Sequence, residues 1–151
     1  MKNKKNYISL AKKSADIQIS ELKKIKRVFN NSFNKAVDLI LKCKGKVILA
    51  GIGKSGLVAR KISATFSSVG IPSFFCDPAQ ALHGDMGQIE KRDILIIFSY
   101  SGNTSELNNM LKYANRFRIK IIGVASKPES ILLKASDIKL ILPKVREADP
   151  T

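Results

Sequence analysis

Five short apolar runs separated by segments of helical periodicity limit the fold of this chain more than any other feature. The apolar runs are residues 47–50, 73–76, 93–98, 119–124 and 138–142. Between these runs, helices are predicted at 57–69, 104–117 and 130–135, and a helical turn or loop is predicted at 77–85. Strands that alternate with helices in this way form a parallel sheet with helices packed on both faces. We therefore predict an α/β fold, a three-layer α/β/α sandwich on a five-stranded parallel sheet, with ligands bound at the carboxyl ends of the strands.

Two amphipathic helices are predicted before the first strand. Apolar residues recur at steps of three and four from Ile8 to Phe29, and an Asn-rich break follows. A second helix is predicted from Phe33 to Leu41, with Gly45 as a left-handed cap after its end. Both helices are expected to cover apolar surface.

The length and the charge limit the organisation of the chain and its partners. At 151 residues it is expected to form one domain over 1–151, with N-terminal helices in 1–45 and the parallel core in 46–151. The net charge is +15, and residues 1–46 hold thirteen Lys and Arg against three acidic residues, so +10 lies there. This segment has few aromatic residues and no groove-reading or base-stacking motif. We expect a solvated basic face that also attracts anionic substrates, and no nucleic-acid partner.

The sequence also predicts the compartment. Its first residues contain no uninterrupted apolar stretch, and no run approaches the ~20 apolar residues that span a bilayer, so neither a signal peptide nor a membrane partner is expected. Cys43 and Cys76 fit no metal-ligand spacing, so no metal site is expected. Both are expected to be free thiols in a reducing compartment, which indicates a cytoplasmic protein.

The segment Ser99-Tyr-Ser-Gly-Asn-Thr-Ser-Glu106 follows the third apolar run directly. Its hydroxyl residues Ser99, Ser101, Thr104 and Ser105 would lie where a buried strand turns into a helix, and the unpaired amides of a helix start bind phosphate. The alternative is a capping box, with Thr104 or Asn103 as the cap and Glu106 as its partner. Capping explains one hydroxyl group and leaves the others unexplained.

A second glycine-rich turn, Gly51-Ile-Gly-Lys-Ser-Gly56, follows the first apolar run. It matches the dinucleotide-binding pattern, and Asp77 lies at the distance expected for a ribose-binding acid. Lys54 and Ser55 favour another interpretation, because they place a cation and a hydroxyl group in the turn, which suits a small anionic ligand. The segment is not a Walker A loop, since Ile48 occupies the position of its first glycine.

His83 and Glu106 are the candidate acid–base residues. His83 is the only histidine, and its position after a strand end makes a structural and a catalytic role equally plausible. Gly84 would allow close backbone approach, and Asp85 would either orient His83 or cap the turn. Glu106 is either a capping partner or a general acid or base whose pKa is raised by burial beside a sugar.

Four motifs together resemble one family, the sugar isomerase (SIS) domain of D-arabinose 5-phosphate isomerases, from about Ser14 to the last residue. They are Gly51-Ile-Gly-Lys-Ser-Gly56, Pro72-Ser-Phe-Phe75, Asp77-Pro-Ala-Gln-Ala-Leu-His-Gly-Asp-Met-Gly87 and Ser99-Tyr-Ser-Gly-Asn-Thr-Ser-Glu106. The resemblance implies a flavodoxin-like strand order, a homotetramer, and no required metal or organic cofactor. It also implies interconversion of D-ribulose 5-phosphate and D-arabinose 5-phosphate, a step that supplies Kdo and lipopolysaccharide synthesis.

The resemblance implies a role for each matching position. Lys54 would stabilise the oxyanion, Glu106 would move the proton, and His83 would position or polarise sugar hydroxyls. The phosphate would be held by Ser99, Ser101 and Thr104 with Ser55 nearby, and further substrate contacts would come from Gly53, Gly84 and Asp85.

The chain departs from the family pattern in two ways. Tyr100 and Asn103 replace residues that are usually smaller or acidic. The sequence also stops at Thr151, where family members continue into a second active-site histidine and often a CBS pair, so it is expected to be truncated and not fully active. The alternatives are a non-catalytic sugar-phosphate-binding module and a nucleotide-binding domain.

Overall fold

The computed structural model describes residues 6–148 as alternating helices and strands. The helices are α1 (Tyr7–Lys23), α2 (Asn31–Leu41), α3 (Gly53–Ser68), α4 (Leu107–Phe117) and α5 (Ile131–Ala135). The strands are β1 (Val47–Gly51), β2 (Ser73–Cys76), β3 (Ile94–Phe98), β4 (Lys120–Ala125) and β5 (Ile138–Ile141). Short 3-10 helices cover Lys24–Val28, Ala81–His83 and Asp85–Gln88. The ends of the predicted domain, residues 1–5 and 149–151, lie outside the described residues.

The five strands form one sheet in the order β2-β1-β3-β4-β5, and every neighbouring pair is parallel. This order is the flavodoxin-like order, and it confirms both the fold class and the strand order that were predicted. The order of the strands reverses between β1 and β3, where ligands bind in such sheets.

Alternate residues of the strands face two different apolar layers. Ile48, Ala50, Leu95 and Ile97 face α4 and α5, whose buried residues include Leu107, Met110, Leu111, Leu132 and Leu133. Val47, Leu49, Ile94 and Ile96 face α2 and α3, through Ala36, Ala59, Ile62 and Phe66. Because both faces of the central strands are covered, these strands are apolar throughout rather than alternating.

The structure corrects several predicted boundaries. α3 begins at Gly53 rather than Leu57, so it includes part of the glycine-rich turn. α4 begins at Leu107 rather than Thr104, because the preceding residues form turns in which the Thr104 and Ser105 carbonyls accept from the amides three residues further on, those of Leu107 and Asn108. Gly45 is not left-handed. It is small because a Cβ there would overlap the Asp93 carboxylate oxygen Oδ1.

The prediction that α1 covers apolar surface with its stripe is wrong for the described chain. No residue of α1 is buried, whereas α2 buries Ala36 and packs on the sheet as expected. The residues of α1 that are partly covered include Ile17 and Glu21, which lie off the predicted apolar stripe. Among the described residues, no helix is both long and apolar enough to cross a membrane.

Candidate functional site

Two turns begin side by side at the carboxyl edge of the sheet, where β1 and β3 end. Gly51 is the register partner of Phe98, so the turn after β1 and the turn after β3 leave the sheet at neighbouring points. The first turn carries Lys54 and Ser55, and the second carries the hydroxyl residues of 99–106. The topology therefore places the cation and the hydroxyl groups at the same switch point of the sheet.

Ser99 organises the turn after β3, which we call the hydroxyl turn (residues 99–106). Its side chain is almost fully buried, and its hydroxyl group accepts a hydrogen bond from the Gly102 amide at 3.0 Å. The same hydroxyl group lies 2.8 Å from the Thr104 hydroxyl group. The Ser101 hydroxyl group accepts from the Asn103 amide at 3.2 Å. These bonds curl the backbone so that Ser99, Ser101 and Thr104 belong to one compact unit.

Gly102 allows the hydroxyl turn to pack closely against the start of α5. Its φ of +68° is in the left-handed region, and a Cβ there would overlap the Ser130 hydroxyl oxygen. The Gly102 carbonyl accepts from the Leu132 amide at 3.0 Å. Ser130 is buried and caps α5 by accepting from the Leu133 amide. The hydroxyl turn and α5 are thus joined with no room for a side chain between them.

The two departures from the family pattern both anchor the hydroxyl turn. The Asn103 side-chain oxygen accepts from the Ile131 amide at 3.0 Å, and so holds the turn to the first residue of α5. The Tyr100 carbonyl accepts from both the amide and the hydroxyl group of Ser126, at 2.9 and 2.7 Å. The Tyr100 phenol oxygen accepts from the Val145 amide at 3.4 Å. Asn103 and Tyr100 therefore use their larger side chains on neighbouring segments of the protein.

Sequence analysis missed Ser126 and Ser130 as supports of the site. Both are buried and follow β4 at the same edge of the sheet. Their position just after an apolar strand is the same signal that identified Ser99, so it was available in the sequence.

The predicted capping box does not form. The N-cap position of α4 is Glu106 itself, and its side chain makes no capping hydrogen bond. The Glu106 carboxylate instead accepts from the Ser105 hydroxyl group at 2.8 Å. A hydrogen bond from its own backbone amide, with that of Ser105, lowers the pKa of Glu106 below its ordinary value. The raised pKa is expected for Glu106 buried beside a bound sugar, whereas in the free protein Glu106 is exposed and its pKa is lowered.

The turn after β1 places Lys54 and Ser55 in the first turn of α3. No side chain caps this helix start. Gly56 packs against β1, because a Cβ there would lie 2.7 Å from the Gly51 carbonyl oxygen. Close packing of helix on strand thus accounts for two glycines of the predicted dinucleotide pattern. Gly53 is exposed at the start of the helix, next to Lys54.

The loop after β2 carries His83 on the surface. His83 lies in a 3-10 turn and is exposed, and Gly84 follows with a φ of +127°. The Asp85 carboxylate accepts from the Gln88 side-chain amide at 3.1 Å, so it supports the turn rather than His83. Asp77, the acid of the dinucleotide interpretation, accepts from the Ala79 amide at 3.0 Å and thereby stabilises its own loop.

Cys76, at the end of β2, supplies no nucleophile to this edge. Burial, together with the nearby charges of Asp85 and Asp77, raises the pKa of the Cys76 thiol to about 11. The thiol is therefore protonated at neutral pH. Among residues 6–148 no group of three or more His, Cys, Asp or Glu side chains is arranged to hold a metal ion.

The structure brings the predicted phosphate-binding residues together more closely than the predicted catalytic ones. Ser99 and Thr104 are in hydrogen-bond contact, and Ser101 lies in the same turn. In the part of the chain that is described, no hydrogen bond or ion pair joins Lys54, His83 and Glu106 to one another. The arrangement is an ordered turn of hydroxyl groups near a lysine and a carboxylate at one edge of the sheet.

Comparison with known proteins gives a consistent picture. A family model described as the SIS domain matches residues 40–150. The uncharacterized protein RP505 of Rickettsia prowazekii is 43% identical over 148 residues, which cover 98% of this chain and 46% of that protein. The probable arabinose 5-phosphate isomerase of Haemophilus influenzae is 39% identical over 145 residues, covering 96% of this chain and 43% of that protein. The chain therefore spans less than half the length of these relatives.

A solved structure shows the same fold with a ligand. The E. coli CFT073 protein c3406, solved in complex with arabinose 5-phosphate, superposes with a TM-score of 0.86 at 34% sequence identity. The match covers 98% of this chain and 79% of that one.

Proposed function

The chain belongs to the SIS-domain family, and from this we propose that it is the sugar-phosphate isomerase domain of an arabinose 5-phosphate isomerase. The reaction would interconvert D-ribulose 5-phosphate and D-arabinose 5-phosphate through an enediol. The observation that carries the proposal is the hydroxyl turn at the carboxyl end of β3, directly beside the Lys54 turn. The isomerase names of relatives at about 40% identity support the substrate class.

The phosphate would bind at the hydroxyl turn and the start of α3. Ser101 and Thr104 offer hydroxyl donors on a backbone that is already ordered, and Ser55 adds one from the neighbouring turn. Ser99 would contribute mainly by keeping the turn curled, since its hydroxyl group is already bonded to Gly102. Preorganised donors bind an anion without the cost of ordering a loop.

The chemistry would be a proton transfer between neighbouring carbons. A proton leaves C2 of the aldose, negative charge develops on O1, and the proton is delivered to C1 while the C2 hydroxyl proton passes to O1. The exposed, ionised carboxylate of Glu106 would accept the first proton. Lys54 would stabilise the charge on O1. His83 would position the sugar hydroxyls, with Gly53, Gly84 and Asp85 at the rim.

The wider setting is also proposed from the family. We propose one domain over residues 1–151, a homotetramer, and a cytoplasmic location, which is supported by the two free thiols, Cys43 and Cys76. The product would supply Kdo and lipopolysaccharide synthesis. No metal or organic cofactor takes part in the proposed reaction.

A second candidate is a sugar-phosphate-binding module without catalysis. The observation in its favour is the contrast between the ordered hydroxyl turn and the exposed side chains of Lys54, His83 and Glu106. A module that only binds a sugar phosphate needs the ordered hydroxyl turn, but it does not need Lys54, His83 and Glu106 to be arranged for catalysis. The dinucleotide interpretation is not retained, because the chain belongs to the SIS family and Asp77 is engaged in its own loop.

The deciding experiment is turnover of D-ribulose 5-phosphate to D-arabinose 5-phosphate by the chain and by Lys54→Ala. We expect turnover to fall by about 10²–10³-fold in Lys54→Ala, as when one oxyanion-stabilising group is removed. Lys61→Ala is the matched control, because Lys61 is an exposed lysine two turns further along α3. Ligand binding without turnover would support the binding module, and neither binding nor turnover would contradict both proposals.

A further inference from the structure

The loop after β2, residues 77–89, carries His83 and makes few polar contacts with the rest of the protein. In the described chain, the hydrogen bonds of residues 78–88 all join residues of this loop to one another. Three of them converge on Asp77, whose carboxylate and carbonyl oxygens accept from the amides of residues 79–81. The path of the loop therefore starts from the position of Asp77.

The Asp77 carboxylate also faces a cation of α3. Its second oxygen, Oδ2, lies 3.9 Å from Nη2 of Arg60. Within residues 6–148, this is the one ion pair that reaches the loop from another element. Both side chains are partly exposed, so the pair alone is weak. Its effect depends on how firmly the guanidinium group is held.

Phe75, near the end of β2, holds this guanidinium group. The Arg60 Cζ atom lies 4.0 Å from the centroid of the Phe75 ring, an arrangement in which the cation is attracted to the ring face. Gly56 lies one turn earlier on the same face of α3, and a Cβ there would lie 3.6 Å from the ring atom Cζ. The ring thus packs against two successive turns of α3, and Arg60 contacts the ring and the Asp77 carboxylate at once.

We propose that Arg60 is a positioning residue of the site, which acts through Phe75 and Asp77. It sets where the loop that carries His83 lies relative to Lys54. Arg60 and Lys54 belong to the same helix, so the contact from Arg60 to the loop connects the two predicted catalytic residues through a rigid element. This inference rests on the proposed isomerase function, because it is the reaction that needs Lys54 and His83 in a fixed arrangement.

Hydrogen–deuterium exchange tests the positioning without reference to activity. Arg60→Met removes the charge and keeps an unbranched side chain over Phe75. Asp77→Asn removes the negative charge and keeps an oxygen that can accept from the amide of residue 79. We expect the amides of residues 79–81 to exchange about threefold to tenfold faster in both variants, as for the loss of a weak ion pair and a cation–ring contact.

The matched control is Arg116→Met. Arg116 also lies over a ring, with its Cζ atom 5.7 Å from the centroid of Phe117, but at the end of α4 that is remote from the loop. The double variant Arg60→Met/Asp77→Asn is the second control. Its loop amides should exchange no faster than in Arg60→Met, because both substitutions remove the same pair. Two effects that multiply in the double variant would overturn the contact between Arg60 and Asp77.

Turnover of D-ribulose 5-phosphate shows whether the positioning serves the reaction. We expect kcat to fall by about tenfold in Arg60→Met, because His83 is then less well placed relative to Lys54. Arg60→Lys should lie between the parent chain and Arg60→Met, since an ammonium group keeps the charge and lacks the planar face that stacks on a ring. The Kd of D-arabinose 5-phosphate should stay within about twofold, because its phosphate is held at the hydroxyl turn.

The combined results separate this inference from the function on which it rests. Faster loop exchange, a lower kcat and an unchanged Kd support it. Loop exchange in Arg60→Met and Asp77→Asn equal to that in Arg116→Met would overturn the positioning and leave the isomerase proposal in place. Faster exchange with an unchanged kcat would overturn its link to the reaction. A parent chain without turnover would overturn the isomerase proposal and this inference together.

Discussion

Glu106 shows how two local hydrogen bonds influence the ionisation of a candidate catalytic group. Its carboxylate is fully exposed, yet its own amide and the Ser105 hydroxyl group favour the ionised form and lower its pKa. A carboxylate with a lowered pKa remains a base as the pH falls through the ordinary range of Glu. The residue is thus ionised over the neutral range, and the same hydrogen bonds make it a weaker base than an ordinary Glu.

The pKa of Glu106 can be measured directly by carbon-detected NMR titration. We expect a value below the ordinary 4.5 in the parent chain and a rise towards 4.5 in Ser105→Ala, because that substitution removes one hydrogen bond to the carboxylate. Glu106 would then become protonated at a higher pH in Ser105→Ala than in the parent chain, so the acid limb of the pH profile of kcat/KM would move to higher pH.

Glu106→Gln is expected to lose turnover by about 10²–10⁴-fold, and wild-type turnover in that variant would remove Glu106 from the mechanism.

The hydroxyl turn and α5 act as one element, although they are separated in sequence. Gly102 binds the Leu132 amide through its carbonyl, Asn103 binds the Ile131 amide through its side chain, and Ser130 fills the space beside Gly102. The conformation of the turn therefore depends on a helix of five residues that carries none of the predicted site residues.

Gly102→Ala tests this coupling. The new Cβ would overlap Ser130 in a buried site and would also occupy the left-handed region, so we expect a loss of about 2–4 kcal/mol in the free energy of unfolding. Gly70→Ala is the matched control, because Gly70 has a φ of +86° with nothing within 4 Å of the new Cβ. Gly70→Ala should lower the free energy of unfolding only by the backbone strain, about 1–2 kcal/mol. Equal losses in chemical denaturation of the two variants would show that the packing against Ser130 is unimportant.

The fold of the whole molecule was predictable because its central strands, β1, β3 and β4, are apolar along almost their whole length and are buried. Continuous apolar runs such as 94–98 can be recognised as buried strands from the sequence alone. The helices between these runs restrict the sheet to a few possible parallel topologies. The position of α1 was not predictable in the same way. An amphipathic pattern states that one face avoids water, but it does not state what covers that face. The stripe of α1 thus predicted a helix correctly and its packing wrongly.

The candidate site was predictable where it depends on neighbouring residues in the sequence. Ser99, Ser101 and Thr104 contact each other or the backbone within five residues, and local motifs identify them. The anchoring roles of Asn103 and Tyr100 depend on Ile131 and Val145, 28 and 45 residues away. Such contacts follow from the packed structure, so the sequence showed these two residues only as departures from a pattern.

Ligand-dependent stability is the property of the whole molecule that separates the remaining functional classes. A ligand that binds only the folded chain stabilises it by about 2.7 kcal/mol at a hundred times its Kd, or about 5–10 °C in Tm for a chain of this size. We expect D-arabinose 5-phosphate and D-ribulose 5-phosphate to raise the Tm in this way. D-arabinose lacks the phosphate and should have no effect.

Ionic strength must be held constant in this comparison, because a chain with a net charge of +15 gains stability from any anion that reduces its self-repulsion. Chloride at equal ionic strength measures that general effect, and inorganic phosphate measures what the phosphate group adds to it. If the pentose phosphates raise the Tm more than inorganic phosphate does, contacts with the sugar contribute to the binding free energy in addition to the charge of the phosphate. An equal shift with NAD or with D-arabinose would contradict a site built around the hydroxyl turn, because neither compound presents a terminal phosphate monoester to Ser101 and Thr104.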